Sequence, residues 1–200
     1  MTRDEVNQII EEFHMPKHIR RHCEQVAKIC EFLGRKMKDK GYKIDIDLLV
    51  HAALLHDLFR ICDVTIWDPN VFPDAHSQDS HKKWEELRKK HCGKDHEYSA
   101  YEELINRGEP HLAELIKSHR FENILDENPF KNWEEKILYY ADKRVEHDKI
   151  VSLKERLEKG KKRNAVTEKQ IAISVVAFPK IYELEKEICE AGGIKPEDIV

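Results

Sequence analysis

Histidine and aspartate recur on the apolar faces of this chain's helical segments: His22, the adjacent pair His56-Asp57, and Asp142. The pair is the most telling. From Leu48 to Ile61 the chain reads LLVHAALLHDLFRI, apolar on every side, and a helix of that kind belongs in a core. A carboxylate placed there must be ion-paired, hydrogen-bonded or bound to a metal, because desolvating a lone charge is prohibitive. Imidazoles and carboxylates directed inward from facing helices are how helical bundles build metal sites. Two nitrogens and two oxygens suit Fe, Mn, Zn or Ni. His119 also lies on an apolar face. His96 stands near a helix start, where spacing leaves its direction open.

Each residue has a plainer reading. A lone inward histidine such as His22 is more often a satisfied core residue than a ligand, and Asp142 alone could pair with a nearby Lys or Arg. For His56-Asp57 the plain reading is weaker. Neighbours diverge on a helix, so a hydrogen bond between the two is not expected, and a bound group is.

Helices must position these groups. Thr2 to Phe13 is amphipathic, with Thr2 and Glu5 spaced for a capping box. Pro16 opens a longer helix whose stripe is Ile19, Cys23, Val26, Cys30, Leu33 and Met37, ended by Gly41. Asp45 or Asp47 can cap the helix carrying His56-Asp57. The stretch of about 62–95 holds Pro69, Pro73, Trp67, Phe72 and a polar helical piece near Gln78 to Lys90, and reads as a structured insertion or lid. Asp95 can cap a helix with His96. Gly108 and Pro110 separate it from one with His119. Trp133 to about Lys159 reads as one long helix bearing Asp142. Gly160-Lys161-Lys162-Arg163 is a basic end. Ile171 to Ile188 is a last amphipathic helix, kinked or restarted at Pro179; Ile171 to Phe178 could instead be a buried strand, but no partner strand is evident. The fold class expected is all-α: one domain with a core at about 17–150, the insertion, and a C-terminal helical extension over 151–200.

Composition narrows the function classes. A net charge of −4 with 37% charged residues suits a soluble globular protein and argues against nucleic acid as a partner. The five scattered cysteines include no CxxC pair, which argues against a disulfide framework and a thiolate zinc site. No apolar segment follows Met1 and no run is long enough to span a bilayer, so a cytoplasmic location without membrane association is expected.

The order His22 … His56-Asp57 … Asp142 resembles the HD superfamily of metal-dependent phosphohydrolases. Three contexts carry the resemblance: Arg20-Arg21-His22-Cys23-Glu24-Gln25-Val26-Ala27, Ala52-Ala53-Leu54-Leu55-His56-Asp57, and Tyr139-Tyr140-Ala141-Asp142-Lys143. It implies an HD-domain helical bundle in which His22, His56, Asp57 and Asp142 bind a divalent transition metal (Fe, Mn, Ni, Co or Zn). In members with two ions, two further histidines join, and His96 and His119 stand where those would fall; two ions are expected here. The pattern is similar to HD-type nucleotide and dinucleotide hydrolases. It departs from them at Phe59, where a glycine is common, and at Arg60, where a lysine is usual.

The implied activity is hydrolysis of a phosphate ester or anhydride of a nucleotide or similar small molecule, through a metal-activated water. Asp57, Arg60 and Lys143 are the candidate catalytic residues. Arg20, Arg60, Lys143 and Arg144, each near a candidate ligand, are candidate phosphate binders, Arg60 foremost, since Arg binds phosphate bidentately. The plain reading of each, and of Arg21 and Arg120, is a solvated surface charge. A homodimer is a further expectation. Two other functions share the fold: a di-iron oxygenase, and a non-catalytic metal- and nucleotide-binding module that uses the basic end and last helix for a partner. His51 reads as a core or outer group, and His76, His81 and His91 as surface residues. Trp67, Phe72 and Trp84 could stack on a nucleobase, though packing of the insertion onto the body is the preferred reading.

Overall fold

A computed structural model of the protein describes residues 1–63, 77–164 and 167–200. Trp67, Pro69, Phe72, Pro73 and His76 lie outside the described residues. The order of elements is α1 (Arg3–Glu12), α2 (Lys17–Asp39), α3 (Ile46–Leu55), α4 (Gln78–Lys90), α5 (His96–Asn106), α6 (Pro110–Lys117), α7 (Trp133–Asp142), β1 (Val145–Glu146), β2 (Lys149–Ile150), α8 (Leu153–Asn164) and α9 (Glu168–Gly192). The all-α expectation holds, apart from a two-strand hairpin pairing Val145 with Ile150 and Glu146 with Lys149.

Local chemistry sets most of the boundaries. Thr2 and Glu5 form the capping box of α1. Asp45, not Asp47, caps α3 by accepting from the Leu48 N–H. Pro110 occupies the first turn of α6, where a missing N–H costs nothing. Gly193, at φ +64, closes α9 in the left-handed conformation that suits glycine. The Ile171 to Phe178 stretch is helical, within α9, and Pro179 sits inside that helix.

The core is a sandwich of long helices around α3. Helix α2 packs along α3 and α7, α3 also meets α6, and α5 pairs with α6. Leu49, Ala52, Ala53, Leu54 and Leu55 are buried, which explains why α3 carries no polar face. Burying each of its leucines stabilises the fold by about 1.5–3 kcal/mol. α9 lies against α7 and α2 with Ile181, Leu184 and Ile188.

Two helices are shorter than the apolar pattern implies. α3 ends at Leu55 instead of running to Ile61. Backbone bonding tightens there: Leu58, Arg60 and Cys62 donate to Leu55, Asp57 and Phe59, three residues back. The His56 imidazole also takes the Ala53 carbonyl. The second correction is at Asp142, where α7 stops; no helix runs on to Lys159. The chain turns through His147, at φ +58, into the hairpin, and the basic segment at 160–163 lies inside α8.

The described part of the insertion is α4, which is docked onto the body. Trp84 is buried and donates its indole N–H to the His14 carbonyl at 2.8 Å, so packing, not base stacking, is its role. His91, expected at the surface, is buried with its ring 4.6 Å from that of Phe59. Phe59 also meets Phe13, with ring centroids 5.0 Å apart. The aromatic ring in place of a glycine therefore fills the space between α1 and the end of α4.

Candidate metal centre

The end of α3 brings His56 and Asp57 into one place. Because the helix tightens there, the neighbouring side chains do not diverge: Nε2 of His56 lies 3.8 Å from Oδ2 of Asp57. From α2, His22 places Nε2 at 3.0 Å from Oδ1 of Asp142, which closes α7. His56 Nε2 is 3.7 Å from the same oxygen. From the start of α5, His96 Nε2 stands 3.1 Å from Oδ1 of Asp57. His119, just after α6, has its Nε2 3.9 Å from that oxygen. The structure thus gathers all six predicted residues from five helices and their ends. Asp57 stands between two groups, Oδ2 towards His22 and His56 and Oδ1 towards His96 and His119.

The four imidazoles share an orientation. Nδ1 of His22 faces the His147 carbonyl at 2.9 Å, that of His56 the Ala53 carbonyl at 2.7 Å, and that of His119 the Ile116 carbonyl. Nδ1 of His96 faces Asp63 Oδ2 at 2.8 Å. An acceptor at Nδ1 holds the proton there and leaves the Nε2 lone pair free, which is how metal-binding histidines are oriented. His56 Nε2 is buried and has no hydrogen-bond partner among the described residues. An orphaned buried nitrogen of this kind calls for a bound group.

Electrostatics also favour a cation. Burial would raise the Asp57 pKa, but His56, His96 and Arg60 outweigh it and hold the carboxyl well below its usual range. Burial likewise opposes ionisation of Asp142, where Lys143, His22 and His56 prevail. Burial also disfavours charge on His96, yet Asp57 and Asp63 push its pKa up to about 9. Burial, then the charges of His56 and His96, keep His119 well below its ordinary value. Carboxylates that draw a proton onto His96 draw a divalent ion by the same field, and binding releases that proton. The donor set of imidazoles and carboxylates fits a transition ion. His22, His56 and Asp142 form one set of candidate ligand atoms, and His56, Asp57 and His119 another, each within 4.8 Å. Asp57 and Asp142 are mostly buried, with 16% and 13% of each side chain exposed.

Spacing had not singled out two acidic residues near the centre. Glu97 is buried beside His96 and forms a third candidate set with His96 and His119. His96-Glu97 repeats the imidazole–carboxylate doublet of His56-Asp57, a signal present in the sequence. Asp63 orients His96 and also receives Arg60 at 3.0 Å.

The basic residues separate. Lys143 is buried at the centre, with Nζ 2.9 Å from Asp142 Oδ2 and 3.2 Å from the His119 carbonyl. The Arg60 guanidinium is partly exposed at the rim, 3.3 Å from His96 Nδ1. Arg20 is engaged by Glu11 at 2.6 Å and Glu24 at 3.6 Å instead of by the centre. Arg144, expected as a phosphate binder, is engaged elsewhere. It is buried and donates to the Val151 carbonyl, the Tyr140 hydroxyl and the Pro196 carbonyl, joining α7 to the C-terminal segment. Arg163 is likewise no free basic patch, because its guanidinium clasps the buried carboxylate of Glu146. His51 is half-buried on α3 and away from the cluster's contacts.

Comparison with known proteins agrees with this geometry. The family model of the HD domain matches residues 19–160, which takes in His22 through Asp142, the hairpin and most of α8, and leaves α9 outside. Curated proteins and solved structures gave no match. HD domains are generally metal-dependent hydrolases, and no helix among the described residues is long and apolar enough to cross a membrane. With a family model covering most of its length and the expected histidines and aspartates gathered at one centre, the chain belongs to the HD-domain family.

Proposed function

We propose that the protein is a metal-dependent phosphohydrolase acting on a phosphate ester or anhydride of a nucleotide or similar small molecule. The observation that carries this reading is the placement of Asp57, one oxygen towards His22 and His56 and the other towards His96 and His119. His22, His56, Asp57 and Asp142 would hold one divalent ion, and Asp57, His96 and His119 a second. Bound there, such ions supply Lewis acidity and lower the pKa of coordinated water towards neutrality.

The chain's own groups complete the chemistry. Asp57, held ionised, can accept a hydrogen bond from the attacking water and orient it towards phosphorus. Lys143 sets a buried ammonium beside Asp142, where a fixed cation stabilises charge developing on phosphoryl oxygens. Arg60, at the rim, suits an outer phosphoryl oxygen, with Asp63 fixing its guanidinium. The apolar wall of α3 and α6 excludes bulk water behind the cluster.

Elemental analysis of protein prepared with and without oxygen, followed by a phosphate-release screen over nucleotides, dinucleotides and simple esters, tests the reading. Bound metal near one or two equivalents with phosphate release is the expected result. A folded protein that takes up no Mn, Fe, Co or Ni and releases no phosphate would falsify it.

A further inference from the structure

Helix α9 is apolar on two sides. Its inner side, with Ile181, Leu184 and Ile188, is buried against the body. Its outer side is not: Ile171, Val175, Val176 and Tyr182 are 42%, 62%, 55% and 42% exposed. These are four of the seven large apolar side chains exposed among the described residues. A surface helix is ordinarily apolar on one side only, and a concentrated apolar patch marks a surface that another molecule covers. The patch also lies beyond residue 160, where the match to the HD-domain model stops.

The order of residues along that side says what covers it. Glu168, Ile171, Val175, Pro179, Tyr182 and Lys186 follow one another at intervals of three or four and are all exposed, so they line one stripe, about 27 Å long. The stripe opens on an acid, closes on a base and is apolar between. Its two charges are equidistant from position 177 along the helix. So are Val175 and Pro179, and so are Tyr182 and the exposed Ala172. A second α9 laid antiparallel across this one, with its midpoint at the same position, sets Glu168 of each copy against Lys186 of the other. It seats each Tyr182 over the small side chain of Ala172 and each Val175 against Pro179. A parallel pair would bring like charges together at both ends, which is disfavoured.

A two-fold interface requires a surface complementary to itself, residue i meeting j and j meeting i. The stripe meets that condition in charge and in size. Its charges have no strong competing partner. Lys186 stands 3.7 Å from Glu190, with both side chains mostly exposed, a surface contact of little worth. Glu168 makes no ion pair within 4.0 Å among the described residues.

We infer that the outer side of α9 is a dimer interface, covered by α9 of a second copy of this chain in an antiparallel, two-fold arrangement. The apolar stripe supplies the affinity and the terminal charges fix the direction. The inner side of α9 is fastened to α7, through Tyr140 donating to Glu185 at 2.7 Å and Lys136 pairing with Glu187 at 2.5 Å. Dimerisation therefore braces the helix that ends on Asp142.

Analytical ultracentrifugation of the intact chain tests this, under reducing conditions that keep the exposed Cys92 from linking copies. The expected result is a reversible monomer–dimer equilibrium with a Kd in the micromolar range, since a single helix pair is a small interface. Val175→Glu should weaken the dimer by about 100-fold or more. Its side chain is outside the core, so the circular dichroism of the variant should match that of the parent. Glu168→Lys and Lys186→Glu should each weaken the dimer by about tenfold, and the two together should restore it to within about threefold of the parent. A parent protein that stays monomeric at every concentration, a dimer indifferent to Val175→Glu, or charge variants that fail to compensate would each overturn the inference. So would a monomer that sediments with vesicles of anionic phospholipid and loses that binding on Val175→Glu, because the face would then belong to a lipid surface.

Discussion

The ammonium of Lys143 lies 2.9 Å from Oδ2 of Asp142, while Oδ1 of the same carboxylate faces His22 at 3.0 Å. One oxygen is thus committed to a buried cation of the chain and the other to the centre. Lys143→Met should leave metal content near normal, since no candidate ligand is removed. Loss of a fixed cation at a site of developing charge typically costs about 10²–10³-fold in kcat. Retained metal with unchanged kcat would show that Lys143 serves Asp142 alone.

Asp57 should matter more to metal than any single histidine, because it serves both halves of the centre. Asp57→Ala is expected to bring metal content to a small fraction of an equivalent. It should also abolish the rise in thermal midpoint that added metal gives the parent protein by stabilising only the folded state. His96→Ala and His119→Ala should each lower metal content from about two equivalents towards one. Content unchanged in both histidine variants would establish a single-ion centre.

His147 adopts φ +58 at the hairpin turn and offers its carbonyl to His22. A β-branched residue is poorly tolerated in that conformation, so His147→Val should destabilise the fold by about 1–2 kcal/mol. It should also weaken metal binding by about 10–100-fold, the usual cost of losing an outer partner of a ligand. His147→Gly fits the turn and should keep the affinity. Equal affinities in the two variants would detach the turn from the centre.

Glu146 is buried, and burial opposes its charge, but Arg163 and Arg156 prevail and lower its pKa from the ordinary 4.5. A carboxyl with a depressed folded-state pKa adds stability above its unfolded value and loses it as pH falls through the folded one. The clasp between hairpin and α8 should therefore weaken below pH 4.5. Glu146→Gln should cost about 1–3 kcal/mol near neutral pH and flatten the acid limb of a urea-unfolding series. An identical acid limb in parent and variant would count against the clasp.

Arg144 separates structure from binding. Arg144→Met removes donors to two carbonyls and a tyrosine from a buried site and should cost about 3 kcal/mol or more, lowering the thermal midpoint. KM at a temperature where the variant is folded should not move. A raised KM would restore Arg144 as a substrate contact.

Much of this architecture is legible from local chemistry. Thr2 with Glu5, Asp45, Pro110 and Gly193 mark helix ends because each satisfies, or does without, a particular backbone group. Five of the six candidate ligands, His22, His56, Asp57, His119 and Asp142, stand out as polar residues on or beside apolar stripes, whereas His96 is picked out by the family resemblance alone. The ends of α3 and α7 are not legible in this way, since neither carries Gly or Pro. His56 turning its ring onto the Ala53 carbonyl stops the first, and the pairing of β1 with β2 takes over from the second. Arg144 is a candidate phosphate binder by its place two residues after Asp142, yet the shift from helix to hairpin sends its side chain and that of Lys143 to different partners. Glu97 is not legible either, because an acidic residue in the first turn of a helix is ordinary on its own.

The acceptor that orients His22 is a peptide carbonyl at a turn, not a side chain. Trimming the side chain at position 147 does not delete it; only a change in the path of the chain does, such as a residue that the turn cannot hold would force. The first histidine of the centre is thereby coupled to the shape of a short hairpin that any compatible pair of residues could build. Variation in that loop would be silent to a comparison of side chains and still retune the affinity of the site, so the hairpin is a place where a metal preference could drift while all six histidines and aspartates of the centre stay in place.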